Sequence, residues 1–267
     1  ESIGEFSLDG VVAMSAYRSM VTEGVFSLNG IVEVVADTPI YPVKYGALYN
    51  WHAATDSRKI TSSDDWKIPT ITQLNNLILY VDSSASVNAD YYGTGKDNVY
   101  LYGGTAGELR SSSLSFWNDV SINTNAHGFN QVGGGYRAYS GSFFDLKEVA
   151  ELWSSDFDTN YTVQKLFIYD GWGSEMSTSY ELAHFGIIIR LCNTSTLLSE
   201  GQSGTYTQND GTILITKVIN GIEWLAQNLK ETKYRNGDTI PEVTNNAAWK
   251  ALTTGALCAY NNDWNNV

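Results

Sequence analysis

Residues 45–54 read YGALYNWHAA, and residues 255–267 read GALCAYNNDWNNV. Each carries Gly-Ala-Leu, then Tyr-Asn, then a Trp. How the two stretches relate decides the architecture: they are two copies of one unit, or two pieces of a single one. Residues 185–192, FGIIIRLC, lie between them and form a continuous apolar run, which reads as a strand buried on both faces. Arg190 interrupts that run and requires partners, because a buried charge is costly unless it is hydrogen-bonded.

Outward from this run, ITQLNNLILYV places apolar residues at 71, 74, 77, 78 and 81. That spacing predicts a helix, started by Pro69 and Thr70. Residues 83–140 are rich in Gly, Ser, Asn and Tyr and read as loops and short strands. Residues 166–169 read as a strand. Residues 193–204 read as a linker. Residues 213–219 alternate, turn at Asn220-Gly221 and return through Ile222-Glu223-Trp224, which predicts a hairpin. Residues 244–249 predict a short capped helix. Near the start, GEFSLDGVV (4–12) recurs as GVFSLNGIV (24–32), each with an Asp-Gly or Asn-Gly turn. Two such hairpins bury too little to stand alone. Residues 1–38 are therefore expected to form an attachment or trimerisation stem, the other reading being an ordinary N-terminal sheet.

The 267 residues carry only 17% charged side chains and a net charge of -13, which argues against sequence-general binding to phosphate backbones. Aromatics reach 13%, with 17 Tyr and 8 Trp, a composition suited to a β- and loop-rich surface protein. Neither a membrane-spanning run nor a signal-peptide pattern is visible. The expected setting is a virion, or an extracellular or cell-surface location. The two cysteines, Cys192 and Cys258, either bridge each other or remain as two buried thiols.

The stretch GIEWLAQNLKETKYRNGDTIPEV…WKALTTGALCAYNND resembles the N-terminal half of the Fibrobacter succinogenes major paralogous domain. The stretch YGALYNW…DDWKIPTITQL…GFNQVGGGYRAYSGSFFD…ELWSSDF…FGIIIRLC resembles its C-terminal half. The resemblance covers roughly residues 40–267. It implies an α+β, C-type-lectin-like domain, distantly akin to formylglycine-generating enzymes. The halves stand in reversed order here. The domain is expected to be circularly permuted or completed by a neighbouring chain, with two incomplete domains as the further arrangement. The expected division is 1–38 for the stem, 39–194 for the C-terminal-half-like part and 195–267 for the N-terminal-half-like part. The closing run is then expected to lie beside residues 45–51.

No catalytic constellation is visible. His52, His127 and His184 form no spaced ligand pair. Asp64-Asp65, Asp156 with Asp158, and Asp238 with Glu242 read as solvated loop acids. Formylglycine-generating enzymes use a cysteine pair with copper, but neither cysteine here has a visible activating neighbour. Trp117-Asn118-Asp119 matches a lectin calcium tripeptide out of context, so no cofactor is expected, with calcium the weaker alternative. Trp66 and Trp153 read as core residues. What remains is a recognition face of aromatic, amide and carboxylate groups. Its candidates are Trp172, Asp156, Asp158, Tyr161, Tyr260, Asn261, Asn262, Asp263 and Trp264. These imply a non-enzymatic module binding a cell-surface glycan or protein receptor, in a phage fibre or tail built as a homotrimer. A bacterial surface or secreted adhesin, a purely structural virion protein and an enzyme of the formylglycine-generating kind are the rival readings.

Overall fold

The computed structural model describes residues 44–88, 98–102, 104–157, 162–170 and 175–267. All belong to one compact unit, Pro42–Val267. The expected stem, 1–38, and the candidates Asp158, Tyr161 and Trp172 lie outside the described residues.

The predicted helix forms over Ile71–Val81. Thr70 and Gln73 close a reciprocal capping box at its start, satisfying donors that an uncapped helix leaves open. Leu74, Leu77 and Ile78 lie on one stripe and are buried. They pack against Val99, Leu101, Ala150, Leu152, Leu166 and Ile168 in a single apolar cluster.

Those last residues come from a five-stranded antiparallel sheet. Its order is Ser86–Asn88, Asn98–Tyr102, Glu175–Leu182, Thr162–Tyr169 and Val149–Phe157. A second five-stranded sheet runs Ser203–Thr207, Ile213–Ile219, Ile222–Leu225, Cys192–Asn193 and Trp66–Lys67. Its predicted hairpin turns at Asn220 and Gly221, both with positive φ (55° and 69°), as a two-residue turn of this hand requires. Two short ladders complete the set: Leu48–Tyr49 with Leu257–Cys258, and Gly134–Arg137 with Phe143–Leu146.

The expectation of an α+β, C-type-lectin-like architecture is overturned. Against four antiparallel sheets the described residues hold three α-helices, of 4, 11 and 5 residues. The helical component rested on two segments, and the second, Asn246–Lys250, supplies little more than one turn. The strands Val149–Phe157 and Glu175–Leu182, not foreseen as strands, make this a β-rich fold. Residues 193–204 are likewise no simple linker, since Cys192–Asn193 and Ser203–Thr207 both join the second sheet.

The apolar run 185–192 joins a sheet only at its end, where Cys192–Asn193 pairs with Glu223–Trp224 and with Trp66–Lys67. Before that it makes single bridges to three elements: Gly186 to Arg137, Ile187 to Tyr49 and Ile188 to Leu152. Ile188 faces the first apolar cluster, whereas Ile187 and Ile189 face a second one built on Tyr49, Trp66, Trp153, Tyr206, Leu225 and Tyr234. The run thus divides two cores, which is why it shows no alternation. Arg190, fully buried, gives hydrogen bonds to Asn228 Oδ1 (2.7 Å) and to the carbonyls of Phe129 (2.6 Å), Leu225 (2.6 Å) and Asn130 (3.0 Å). Burial pulls its pKa down to about 9, so it stays protonated at neutral pH.

The closing run lies beside residues 45–49. Leu48 pairs with Cys258 and Tyr49 with Leu257, and the Tyr45 amide donates to the Asn266 carbonyl (3.0 Å). Arg137 reaches across to the carbonyls of Val243 and Thr244, Arg235 reaches back to those of Thr61 and Ser63, and Asn50 binds Thr254 and Ala256. Residues 195–267 and 44–192 therefore form one packed body within a single chain.

Replacing Arg190 by Met should destabilise the unit by about 3 kcal/mol, because several buried carbonyls lose their donor at once. Urea unfolding measures this. Arg190→Lys should recover only part of the loss, since an ammonium lacks the planar fork.

Candidate binding face

The hairpin Gly134–Arg137/Phe143–Leu146 places Tyr136 opposite Phe144 and Arg137 opposite Phe143. Side chains alternate across a strand, so the two pairs point to opposite faces. Arg137 is fully buried and lies under the Trp249 and Phe143 rings, 4.3 and 4.9 Å from their centroids. Gly135 holds φ +60°, and a Cβ there would strike Phe144 and the Tyr260 ring. The hairpin is thus fixed from its inner side.

Its outer pair starts a series of aromatic contacts. Tyr136 stacks on Phe144 (5.7 Å) and on Phe185 (5.8 Å), and Phe185 lies 6.3 Å from Tyr139. Tyr139 is 48% exposed and Phe144 43%. One residue before Phe185, His184 meets His52 edge-on at 5.9 Å. His52 adjoins Trp51, which stacks on Phe157 at 5.1 Å. Phe157 is 52% exposed, and the Trp51 indole donates to the Ser154 carbonyl (3.1 Å). Large apolar side chains exposed together are more informative than scattered ones.

A cluster of charged groups lies near Tyr136. Lys165, buried on the strand Thr162–Tyr169, joins Glu151 (2.5 Å) and Glu181 (3.0 Å). Burial raises the Glu151 carboxyl pKa, opposed by Lys165. The Tyr136 phenol is pushed up to about 12, first by burial and then by Asp145, Glu151 and Glu181. His52 is held below its ordinary range, first by burial and then by His184.

The candidate residues of the closing run fall together. Tyr260 is buried against Phe143 (5.3 Å). Asn261 and Asn262 adopt positive φ, and Asp263 accepts hydrogen bonds from Asn265. Trp264 is 37% exposed, its indole held by Glu242 (2.7 Å). Asp156 belongs to another neighbourhood: its carboxylate accepts the Ile71 amide at the helix start (2.5 Å). Trp66 and Trp153 are both core residues. Cys192 and Cys258 are free and buried, and burial pushes both thiols up to about 12. The acids read as solvated have partners: Asp64 joins Lys59 and Arg235, and Asp238 joins Arg58. His127 pairs with Glu108 (2.9 Å), a partner distant in sequence.

A β-rich domain whose exposed aromatic series lies over an ion cluster is the class these features define. The family model described as Fibrobacter succinogenes major domain matches residues 28–192, more than half of the chain, and the chain belongs to that family. Residues 193–267 lie beyond the match. No curated protein and no solved structure matches the chain.

Two outcomes follow from the shifted groups. The lowered His52 pKa means the unfolded chain binds more protons between that value and 6.5. Its contribution to stability is full above pH 6.5 and is lost as pH falls through the folded pKa. Thermal unfolding across this window should show a shallower acid loss in His52→Phe than in the parent. Both thiols should resist alkylation in the folded protein and react on unfolding, as mass spectrometry of trapped samples would show.

Proposed function

We propose that this chain is a non-enzymatic recognition module whose aromatic face binds a cell-surface glycan. One observation carries the reading: Tyr139, Phe185, Tyr136 and Phe144 form an unbroken series of ring contacts with its two ends nearly half exposed. Flat rings offer large contact area at low entropy cost, and sugars present apolar C–H faces to them. The closing run flanks the same hairpin, because Tyr260 packs on Phe143 while Phe144 points outward. The closing run thus braces the hairpin from its inner side, and the recognition surface of this reading is the outer series of rings.

The setting we propose is a phage fibre or tail, with the repeats of 1–38 as a trimeric stem. The acidic, aromatic-rich composition supports a surface role. A recognition role is also favoured over chemistry of the formylglycine-generating kind by the elevated pKa of both thiols, which works against the thiolate. No helix among the described residues is long and apolar enough to cross a membrane.

A glycan array probed with the intact chain tests the reading. Phe144→Ala and Tyr139→Ala should each weaken binding roughly ten-fold while leaving the melting temperature nearly unchanged, as expected for exposed stacking residues. Silence of the parent across diverse glycans and host cells would defeat the proposal and favour a purely structural role.

A further inference from the structure

We propose that the aromatic face recognises a protonated amine, so that its ligand is a glycan bearing a free amino group. This rests on the reading of the face as a glycan-binding surface and names the chemistry of the ligand.

Asp145, Glu151 and Glu181 all lie near enough to act on the phenol of Tyr136, an inner ring of the series. Among the described residues the cation bound to them is Lys165, shared between Glu151 (2.5 Å) and Glu181 (3.0 Å). The neighbourhood carries an excess of negative charge. Asp145 sits at the exposed edge, next to Phe144.

A second observation points the same way. Glu151 has a side chain only 4% exposed, and its Oε2 is buried without a hydrogen-bond partner among the described residues. Sealed from solvent, this oxygen is no ligand contact itself, but its incompletely compensated charge adds to the negative potential around Tyr136. The rings favour the same sign. Aromatic faces are electron-rich and attract ammonium groups. One such contact already exists at the face: Lys250 Nζ lies 6.0 Å from the Tyr139 ring. An anionic sugar would meet the carboxylate excess unfavourably. An N-acetylated amine would still stack on the rings but would carry no charge for the carboxylates to attract.

The test compares short glucosamine oligomers with the same oligomers N-acetylated, titrated into the intact chain at mildly acid pH. The amino form should bind roughly ten-fold tighter, the size expected when a charge-assisted contact is added. Rising salt should weaken the amino form alone. Asp145→Asn should narrow the ratio towards unity without changing affinity for the acetylated form. Asn also tolerates the positive φ of this position, so the fold is retained. Glu181→Gln should act likewise, with the melting temperature as its control. Phe144→Ala should weaken both forms.

Equal affinity for the two forms, a preference for the acetylated one, or a preference untouched by Asp145→Asn and Glu181→Gln would overturn the proposal. If other glycans bind in a Phe144-dependent manner while the amine brings no advantage, the amine is wrong and the glycan face stands. If no glycan of any kind binds, both readings fall.

Discussion

The fold depends on what happens to the guanidinium of Arg190. It is buried between two apolar clusters, where an unsatisfied charge would be intolerable. Its partners are Phe129, Asn130, Leu225 and Asn228. These come from loops and strands that no sheet ladder joins directly. The requirement to satisfy one cation therefore fixes the loop 129–130 against the segment 225–228 and sets both against the dividing run. Arg137 works in the same manner further out, binding the carbonyls of Gly141, Val243 and Thr244. Arg110 does so at the opposite side, with Asp170 and the Tyr169 carbonyl. Guanidinium groups, with several donors in one plane, are suited to gathering carbonyls from irregular backbone.

The proposed binding face is braced by these contacts. Arg137 ties the hairpin down on its inner side, beneath the backbone that carries the outward ring of Tyr136. Trp249, which covers Arg137, donates its indole N–H to the His184 carbonyl (2.8 Å). That bond positions the step from His184 to Phe185, and with it the junction between the two aromatic groups. A preorganised face loses less conformational freedom on binding than one assembled from loops.

Parts of this were legible in the sequence. The helix at 71–81 shows clean periodicity because one stripe is buried and the other exposed. The turn at Asn220-Gly221 is legible because its backbone geometry admits few residues. The strand Val149–Phe157 is not, since both its faces are covered. Ala150 and Leu152 enter one core, Trp153 enters the other, and Glu151 and Ser154 are buried polar residues. Motif resemblance identified the family, yet motifs say little about how sheets are layered, and the lectin-like expectation failed there. The aromatic face was hidden for a different reason. Tyr136 and Phe144 meet only through hairpin register, while Phe185 and His52 arrive from remote parts of the chain.

The bond between the Tyr45 amide and the Asn266 carbonyl, with the short ladder behind it, has a mechanical consequence. Residues 45 and 266 lie side by side. Tension applied between them loads Tyr45–Asn266 first and the pairs at Leu48 and Tyr49 afterwards. Such a junction opens as a zipper, one hydrogen bond at a time, and yields at low force. Tension across this pair of positions is therefore borne bond by bond rather than by all the pairs at once.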